Sequence, residues 1–229
     1  MPDTRTPATS IGSNRIRHIP RHDVGSGAAA TSAPYFTITA RETRLGPENV
    51  ACTEFATTCA LRCRGAIDPP LLARLDGICD AAEFRSQHVE ALGHRRIEAP
   101  ALAGPVISLL LRRAPLFRWL ERVTGCATIV DVEGRVVETW PYPGDELAWH
   151  DDIEPPRLLA VTIALTCSPY EGGAFQLRRV GTHDALVDFQ HDTPGTALIF
   201  TVSRRYEHRL CPLVSGGPRR VFTGWFLGA

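Results

Sequence analysis

From residue 127 to its end the chain reads as short apolar runs, each interrupted by polar positions and closed by turn residues. The runs are ATIVDV, RVVETW, LAWHDD, LLAVTIALT, AFQLRRV, ALVDF, TALIFT, HRLCPLV and RVFTGWF. Between them stand Glu154-Pro155-Pro156, Glu171-Gly172-Gly173, Pro194-Gly195 and Ser215-Gly216-Gly217-Pro218. Many short strands at this rhythm predict a sandwich or barrel. ATIVDV and RVVETW flank Glu133-Gly134, which predicts a hairpin at that point.

Upstream of Gly125 the period becomes helical. Asp68 is placed to cap a helix whose first turn holds Pro69 and Pro70, and Leu71, Leu72, Leu75, Ile78 and Cys79 follow at helical spacing. A second helical region is expected from about 101 to 123, broken at Pro115 and stopped at Gly125. Short strands are expected in YFTITA and around 60–64. Helices, mainly within 68–124, thus precede a strand-rich core over about 127–229, which makes the class α+β. Residues 1–34 are rich in Ser, Thr, Pro, Gly, Ala and Arg without an apolar period and read as a flexible arm. Residues 35–229 read as a single domain.

Charge and composition exclude more than they assign. Lys plus Arg equals Asp plus Glu at 25 each, so no nucleic-acid or anionic-membrane partner is expected from the balance. The apolar stretch Val106–Leu111 is far too short to span a bilayer, and the N-terminal residues lack the apolar centre of a secretory signal. A cytoplasmic location is the expectation. The seven cysteines are odd in number and form no C-x-x-C pair, which predicts reduced thiols rather than a disulfide frame or zinc site. Oligomeric state leaves no signal.

The chemistry begins at Leu147-Ala148-Trp149-His150-Asp151-Asp152. On an extended chain His150 and Asp152 point to one side and Asp151 to the other. One imidazole and one carboxylate are two of the three ligands of a non-haem Fe(II) site, whose set of two histidines and a carboxylate leaves coordination positions open. Taken alone, His-x-Asp is a weak signal. The adjacent pairs His183-Asp184 and His191-Asp192 have the wrong spacing for a shared strand face. The run LLAVTIALT adds a separate observation. One face carries Leu159, Val161, Ile163 and Leu165; the other carries Ala160, Thr162 and Ala164, small enough to leave room for a ligand that Thr162 can hydrogen-bond.

The order of further landmarks resembles the prolyl-4-hydroxylase-like branch of the 2-oxoglutarate/Fe(II) dioxygenases. Tyr142-Pro143-Gly144 precedes His150, Arg157 leads a strand, and Gly172-Gly173 forms a turn. Pro194-Gly195 opens a strand ending at Phe200, eight residues before His208. Pro212, the Gly216-Gly217 turn, Arg219 and Trp225-Phe226 complete the series. The resemblance spans about 136–226 and implies a double-stranded β-helix (jelly-roll) core braced by the N-terminal helices. It implies that His150, Asp152 and His208 hold Fe(II) and that 2-oxoglutarate and O2 are co-substrates. The far carboxylate of 2-oxoglutarate needs a fixed cation, for which a guanidinium is suited. Arg219 and Arg220 face opposite ways, and the family position, six residues before Trp225, selects Arg219. Val221 stands where the family often has Ser or Thr, so Thr223 is the expected substitute contact. Tyr142 is a further expected donor to the co-substrate.

Trp149, Glu146, Gln176, Arg178 and Arg204 are the expected substrate contacts, with Gln176 and Arg178 sharing a strand face. With Asp152 present, hydroxylation is the expected outcome, although desaturation or cyclisation begins with the same hydrogen abstraction. The expected substrate is an amino acid, an amino-acid derivative or a peptide natural product. The alternatives are a hydroxylase or demethylase of a protein or nucleic acid, and a jelly-roll binding module without catalysis.

Overall fold

The computed structural model describes residues 33–89, 91–144, 147–165, 168–191 and 193–229. The arm predicted for 1–34 therefore lies almost wholly outside the described residues.

Four helices come early. They are α1 (Glu48–Thr58), α2 (Pro69–Ala81), α3 (Ala103–Leu111) and α4 (Ala114–Thr124). Asp68 caps α2 by accepting a hydrogen bond from the Leu71 amide at 3.2 Å, and Gly125 closes α4 with a left-handed backbone, both as the sequence predicts. The break between α3 and α4 falls at Arg112-Arg113, and Pro115 sits in the first turn of α4, where its missing N–H costs nothing. Helix α1 was not anticipated: its apolar residues show no helical stripe, and only Ala51 and Phe55 are buried. The first turn of α3 is held by the buried Glu98 carboxylate, which accepts from the amides of Ala103 (2.5 Å) and Gly104 (3.0 Å).

The strands are β1 (Phe36–Ile38), β2 (Thr43–Leu45), β3 (Ala60–Cys63), β4 (Phe84–Val89), β5 (Gly93–Glu98), β6 (Asp131–Thr139), β7 (Arg157–Ala164), β8 (Tyr170–Gly172), β9 (Phe175–Arg179), β10 (Ala185–Phe189), β11 (Ala197–Thr201), β12 (Tyr206–Leu210), β13 (Leu213–Gly216) and β14 (Arg219–Leu227). A seven-stranded sheet runs β3-β11-β7-β14-β6-β5-β4, and a three-stranded one runs β10-β9-β12. Strands β8 and β13 form a separate pair, as do β1 and β2. The β4–β5 hairpin, which extends the large sheet, was absent from the sequence reading.

Alternation along the strands sorts side chains into two cores. Leu159, Val161, Ile163, Phe222 and Phe226 leave one face of the large sheet and pack with Leu75, Ile107, Trp119 and Leu120 of the helices. Ala160, Leu198 and Phe200 leave the other face and meet Phe175, Leu177 and Phe189 of the small sheet. Helix layer, large sheet and small sheet together make the jelly-roll arrangement with bracing helices.

The hairpin expected at Glu133-Gly134 does not form. Strand β6 runs straight through, paired with β14 from Asp131 to Thr139. Gly134 faces Gly224 across the ladder. A Cβ on Gly134 would come within 2.3 Å of the Phe222 ring, and one on Gly224 within 2.2 Å of the Glu133 carbonyl oxygen. Both glycines thus serve close approach rather than a turn. The run HRLCPLV is likewise two strands, β12 and β13, parted at Cys211-Pro212. The six described cysteines are free, and no helix among the described residues is long and apolar enough to cross a membrane.

Replacing Gly224 by Ala should force β6 and β14 apart. A loss of about 1–3 kcal/mol, the usual cost of overpacking, is expected as a fall of several degrees in Tm. An unchanged melting curve would show that the two strands are not this close.

Candidate metal centre and co-substrate cavity

The stretch LAWHDD is not a strand. It touches the small sheet at one point, where His150 and His208 exchange backbone hydrogen bonds of 3.0 and 2.8 Å. Residues so paired project to the same face, and the two rings lie 4.3 Å apart between centroids. Two residues on, Asp152 returns to that face. Ligand atoms of His150, Asp152 and His208 all lie within 4.8 Å of one another, with Asp152 Oδ2 3.5 Å from His208 Nε2. Asp151 points away and accepts from the Ile153 amide.

The surroundings orient each group. His150 Nδ1 lies 3.0 Å from the Ala148 carbonyl oxygen, so it carries the proton and Nε2 keeps its lone pair for a metal. His208 sits between Phe175 and Phe200, with ring centroids at 5.6 and 4.8 Å. Burial lowers its pKa to about 4 against the opposing pull of Asp152, so it is neutral near pH 7. Asp152 Oδ2 accepts from Trp225 Nε1 at 3.0 Å. Arg157 lies 3.8 Å over the Trp225 ring and is paired with Glu154 at 2.8 Å. Two imidazoles and a carboxylate on one face suit a divalent iron-like ion.

These residues stand in a cavity of about 270 Å³ between the two sheets. Its walls are the ligand-side face of the large sheet: Ala160 and Thr162 of β7, Arg135 and Val137 of β6, and Arg219, Val221, Thr223 and Trp225 of β14. The small-residue face of LLAVTIALT opens the space, as its pattern predicts.

The two adjacent arginines separate as alternation requires. Arg220 faces the helices, where Glu138 (2.9 Å), Asp80 (2.8 Å) and Asp76 (3.4 Å) hold it. Arg219 enters the cavity and is 4% exposed. No described carboxylate pairs with it, and its buried Nε has no hydrogen-bond partner. Burial depresses its pKa, opposed by a hydrogen bond to Tyr170. Gly173, with φ of 68°, leaves room for the Arg219 side chain, because a Cβ there would lie 3.2 Å from Arg219 Cδ.

Several expected contacts lie elsewhere. Tyr142 is 51% exposed and stacks on His94 at 3.7 Å, beside a separate recess. The phenol beside Arg219 is instead that of Tyr170, whose hydroxyl also donates to the His191 carbonyl oxygen at 2.5 Å. Gln176, Arg178 and Trp149 occupy the outer face of the small sheet, because Phe175 and Leu177 take the inner one. There Trp149 lies beneath Arg178 and Arg209, at 3.8 and 4.6 Å, and Arg178 pairs with Glu207. Arg204 borders a different surface groove next to Ala229. Glu146 lies outside the described residues. Sequence reasoning missed His191. It is 3% exposed, with Nε2 2.8 Å from Thr162 Oγ1 and Nδ1 buried without a partner. Its pKa is pushed well down by burial and by the nearby Arg219 and Arg62 charges. The only signal was an apolar strand, ALVDF, that ends two residues before it and so turns it inward.

Residues 137–227 match the family model of the 2OG-Fe(II) oxygenase superfamily. The matched stretch runs from β6 to the last residue of β14 and includes His150, Asp152, His208 and Arg219. The match supports a dioxygenase using Fe(II), 2-oxoglutarate and O2, and the donor set described above fits the metal. None of the curated proteins compared with it matches. Among solved structures, it is similar to an oxidoreductase of the 2OG-Fe(II) oxygenase family from Burkholderia pseudomallei. That similarity has a TM-score of 0.61 at 15% identity, over 83% of this chain and 95% of that one. A Pseudomonas putida prolyl-4-hydroxylase gives 0.61 at 18% identity, over 80% and 100%. A Trichoplax adhaerens prolyl hydroxylase, solved with a hypoxia inducible factor peptide fragment, gives 0.60 at 15% identity, over 79% and 88%. These likenesses concern the fold.

Two outcomes are expected of the oxygenase site. Trp225→Phe removes the donor to Asp152 and should weaken Fe(II) binding roughly 10- to 100-fold, the usual effect of losing a partner of a metal ligand; calorimetric titration under nitrogen checks it. In the metal-free protein, His208 and His191 stay neutral in the fold while the unfolded chain protonates both near 6.5. The unfolded state then binds more protons, so stability falls with falling pH. The urea midpoint should drop from about pH 6.5 toward 4, below which His208 adds no further slope. Saturating Fe(II) should move the drop to lower pH, because metal competes with the proton. A midpoint that does not change between pH 7 and 4.5 would contradict the burial of neutral histidines.

Proposed function

We propose that His150 Nε2, Asp152 and His208 bind Fe(II), that Arg219 anchors the far carboxylate of 2-oxoglutarate, and that the enzyme hydroxylates an unactivated C–H bond of an amino acid, an amino-acid derivative or a peptide natural product. The observation that carries this reading is a single cavity with two distinct binding ends. One has two imidazoles and a carboxylate within reach of one ion; the other has a buried guanidinium without a described carboxylate. A buried charge without a counter-ion is costly, and a dicarboxylate with a keto-acid end satisfies both ends at once. When bound, Fe(II) and 2-oxoglutarate supply the oxidation of substrate by O2, with release of succinate and CO2.

The chain's own residues orient and shield that chemistry. Arg219 offers a planar fork to a carboxylate, held by Tyr170 on one side and by Gly173 behind it. Thr162 and Thr223 face each other across β7 and β14 on the same cavity wall. Because His191 Nδ1 has no partner, the tautomer protonated on Nε2 strands a lone pair rather than an N–H, the less costly choice. Nε2 then donates to Thr162, and the Thr162 hydroxyl is free to donate into the cavity. Phe175, Phe200 and Trp225 keep water from the metal face. A binding module without catalysis has no need of neutral, oriented imidazoles.

Adding Fe(II) and then 2-oxoglutarate to the metal-free protein without oxygen should produce the visible charge-transfer band of the chelate. His208→Ala should abolish it, and Arg219→Ala should require at least tenfold more 2-oxoglutarate. Folded wild-type protein without a band would overturn the assignment of the site.

A further inference from the structure

The large sheet carries two arginine doublets on the strands that flank β6, Arg219-Arg220 on β14 and Arg95-Arg96 on β5. In each, one member faces the helices and one faces the cavity. The helix-side members are neutralised by the same carboxylate: Arg220 lies 2.9 Å and Arg96 3.3 Å from Glu138. The cavity-side members, Arg219 and Arg95, have no ion pair among the described residues, and each buries an Nε without a hydrogen-bond partner. Register explains the arrangement. Arg96 lies across from Glu138, and Ile97 from Val137, so Arg95 shares the Val137 face. Arg135, two residues before Val137, projects to the same face from β6 and is likewise unpaired among the described residues. Arg95 and Arg135 both line the cavity that holds the metal ligands, and burial and the Arg135 charge lower the Arg95 pKa against the opposing pull of Asp152.

Formal charge makes the excess definite, given the reading of the site proposed above. Fe(II) and Arg219 contribute three positive charges; Asp152 and the 2-oxoglutarate dianion contribute three negative ones. Glu154 neutralises Arg157. Loading the site with both co-reactants therefore leaves Arg95 and Arg135, both on the cavity wall, without a compensating carboxylate among the described residues. Two like charges held together without a counter-ion oppose folding, and their retention fits a ligand that supplies the missing charge. Apolar neighbours, Leu92, Val137 and Leu210, line the space beside them.

We infer that Arg95 and Arg135 form the anchor for an acidic group of the substrate, so that this oxygenase acts on a small acid bearing a carboxylate or a phosphate. The two guanidiniums fix the acidic end, and the oxidised carbon lies on the part of the substrate that extends toward His150 and Asp152. Alternation explains why the doublets serve different molecules: Arg219 lies on the central strand, deep and fully enclosed, whereas Arg135 is exposed and Arg95 half-buried at the open side.

The test uses benzoate, phenyl phosphate and neutral benzamide as probes, titrated calorimetrically under nitrogen into protein saturated with Fe(II) and 2-oxoglutarate. At least one acidic probe should bind and benzamide should not; the stronger acid probe identifies carboxylate or phosphate as the natural group. Arg95→Gln and Arg135→Gln should each weaken acid binding at least tenfold and leave the 2-oxoglutarate midpoint of the charge-transfer band within twofold of wild type. Arg135 is exposed, so its variant is expected to fold, and Arg95→Lys retains charge if the Gln variant does not. Equal binding of acidic and neutral probes, or unaltered acid binding in both variants, would overturn the inference. So would variants that raise the 2-oxoglutarate midpoint, because the pair would then hold the co-substrate. If wild-type protein shows no band, the co-substrate reading fails by itself. Acid binding to the metal-free protein, lost in the two variants, would still uphold the pair as an anion site, and its absence there would overturn it.

Discussion

Strand β14 is paired along its whole length with β6 on one side and from Val221 to Leu227 with β7 on the other, and a strand so enclosed cannot slip by one residue without exchanging its two faces. One face holds Arg220, Phe222, Gly224 and Phe226 against the helices. The other holds Arg219, Val221, Thr223 and Trp225 against the cavity. The glycine crossing at Gly134 and Gly224 locks this register, since no other residue fits between the Glu133 carbonyl and the Phe222 ring. Every functional feature inherits from it: the Trp225 donor to Asp152, the Thr223 hydroxyl opposite Thr162, and the separation of Arg219 from Arg220.

The same alternation governs charge. Glu138 on β6 collects Arg96 and Arg220 on the helix side, with Asp76 and Asp80 of α2 adding to the network. Among the described residues the cavity side receives guanidiniums and a single carboxylate, Asp152, which lies on the metal face. A cavity so lined is electropositive in a low-dielectric surround, where charges act more strongly than in water. Such a space favours anionic ligands, and its guanidiniums stand on three different strands, β5, β6 and β14. Buried aromatic rings around His208 keep it neutral, which is the state in which it can bind metal.

Much of this was legible in the sequence because strands have a period of two. The alternation in LLAVTIALT gave the large and small faces of β7, and those faces became the helix-side core and the cavity wall. His-x-Asp spacing placed two donors on one side, and Asp68 and Gly125 marked the ends of helices through local backbone chemistry. The landmarks shared with the prolyl-4-hydroxylase-like family pointed to His208 and Arg219, and the structure brings both into one cavity with His150 and Asp152.

What the sequence could not decide depends on which surface covers a given face. Gly134 reads as a turn in isolation and proves to be a crossing, because the reason for it lies ninety residues away at Gly224. Gln176 and Arg178 share a face, but only the packing of Phe175 and Leu177 shows that this face is the outer one. Tyr142 and Tyr170 are equally plausible phenols in sequence; the fold stacks the first on His94 and sets the second beside Arg219. His191 and the pair Arg95 and Arg135 carry no local motif at all. They matter because strands distant along the chain converge on one cavity, and convergence of that kind is a property of tertiary packing rather than of sequence spacing. The sequence by itself determined, through local periodicity, the two faces of β7 and the shared side of His150 and Asp152, while His208 was reached through the family landmarks. The tertiary structure alone decided which charges lack a partner, since pairing is settled by what lies across the sheet.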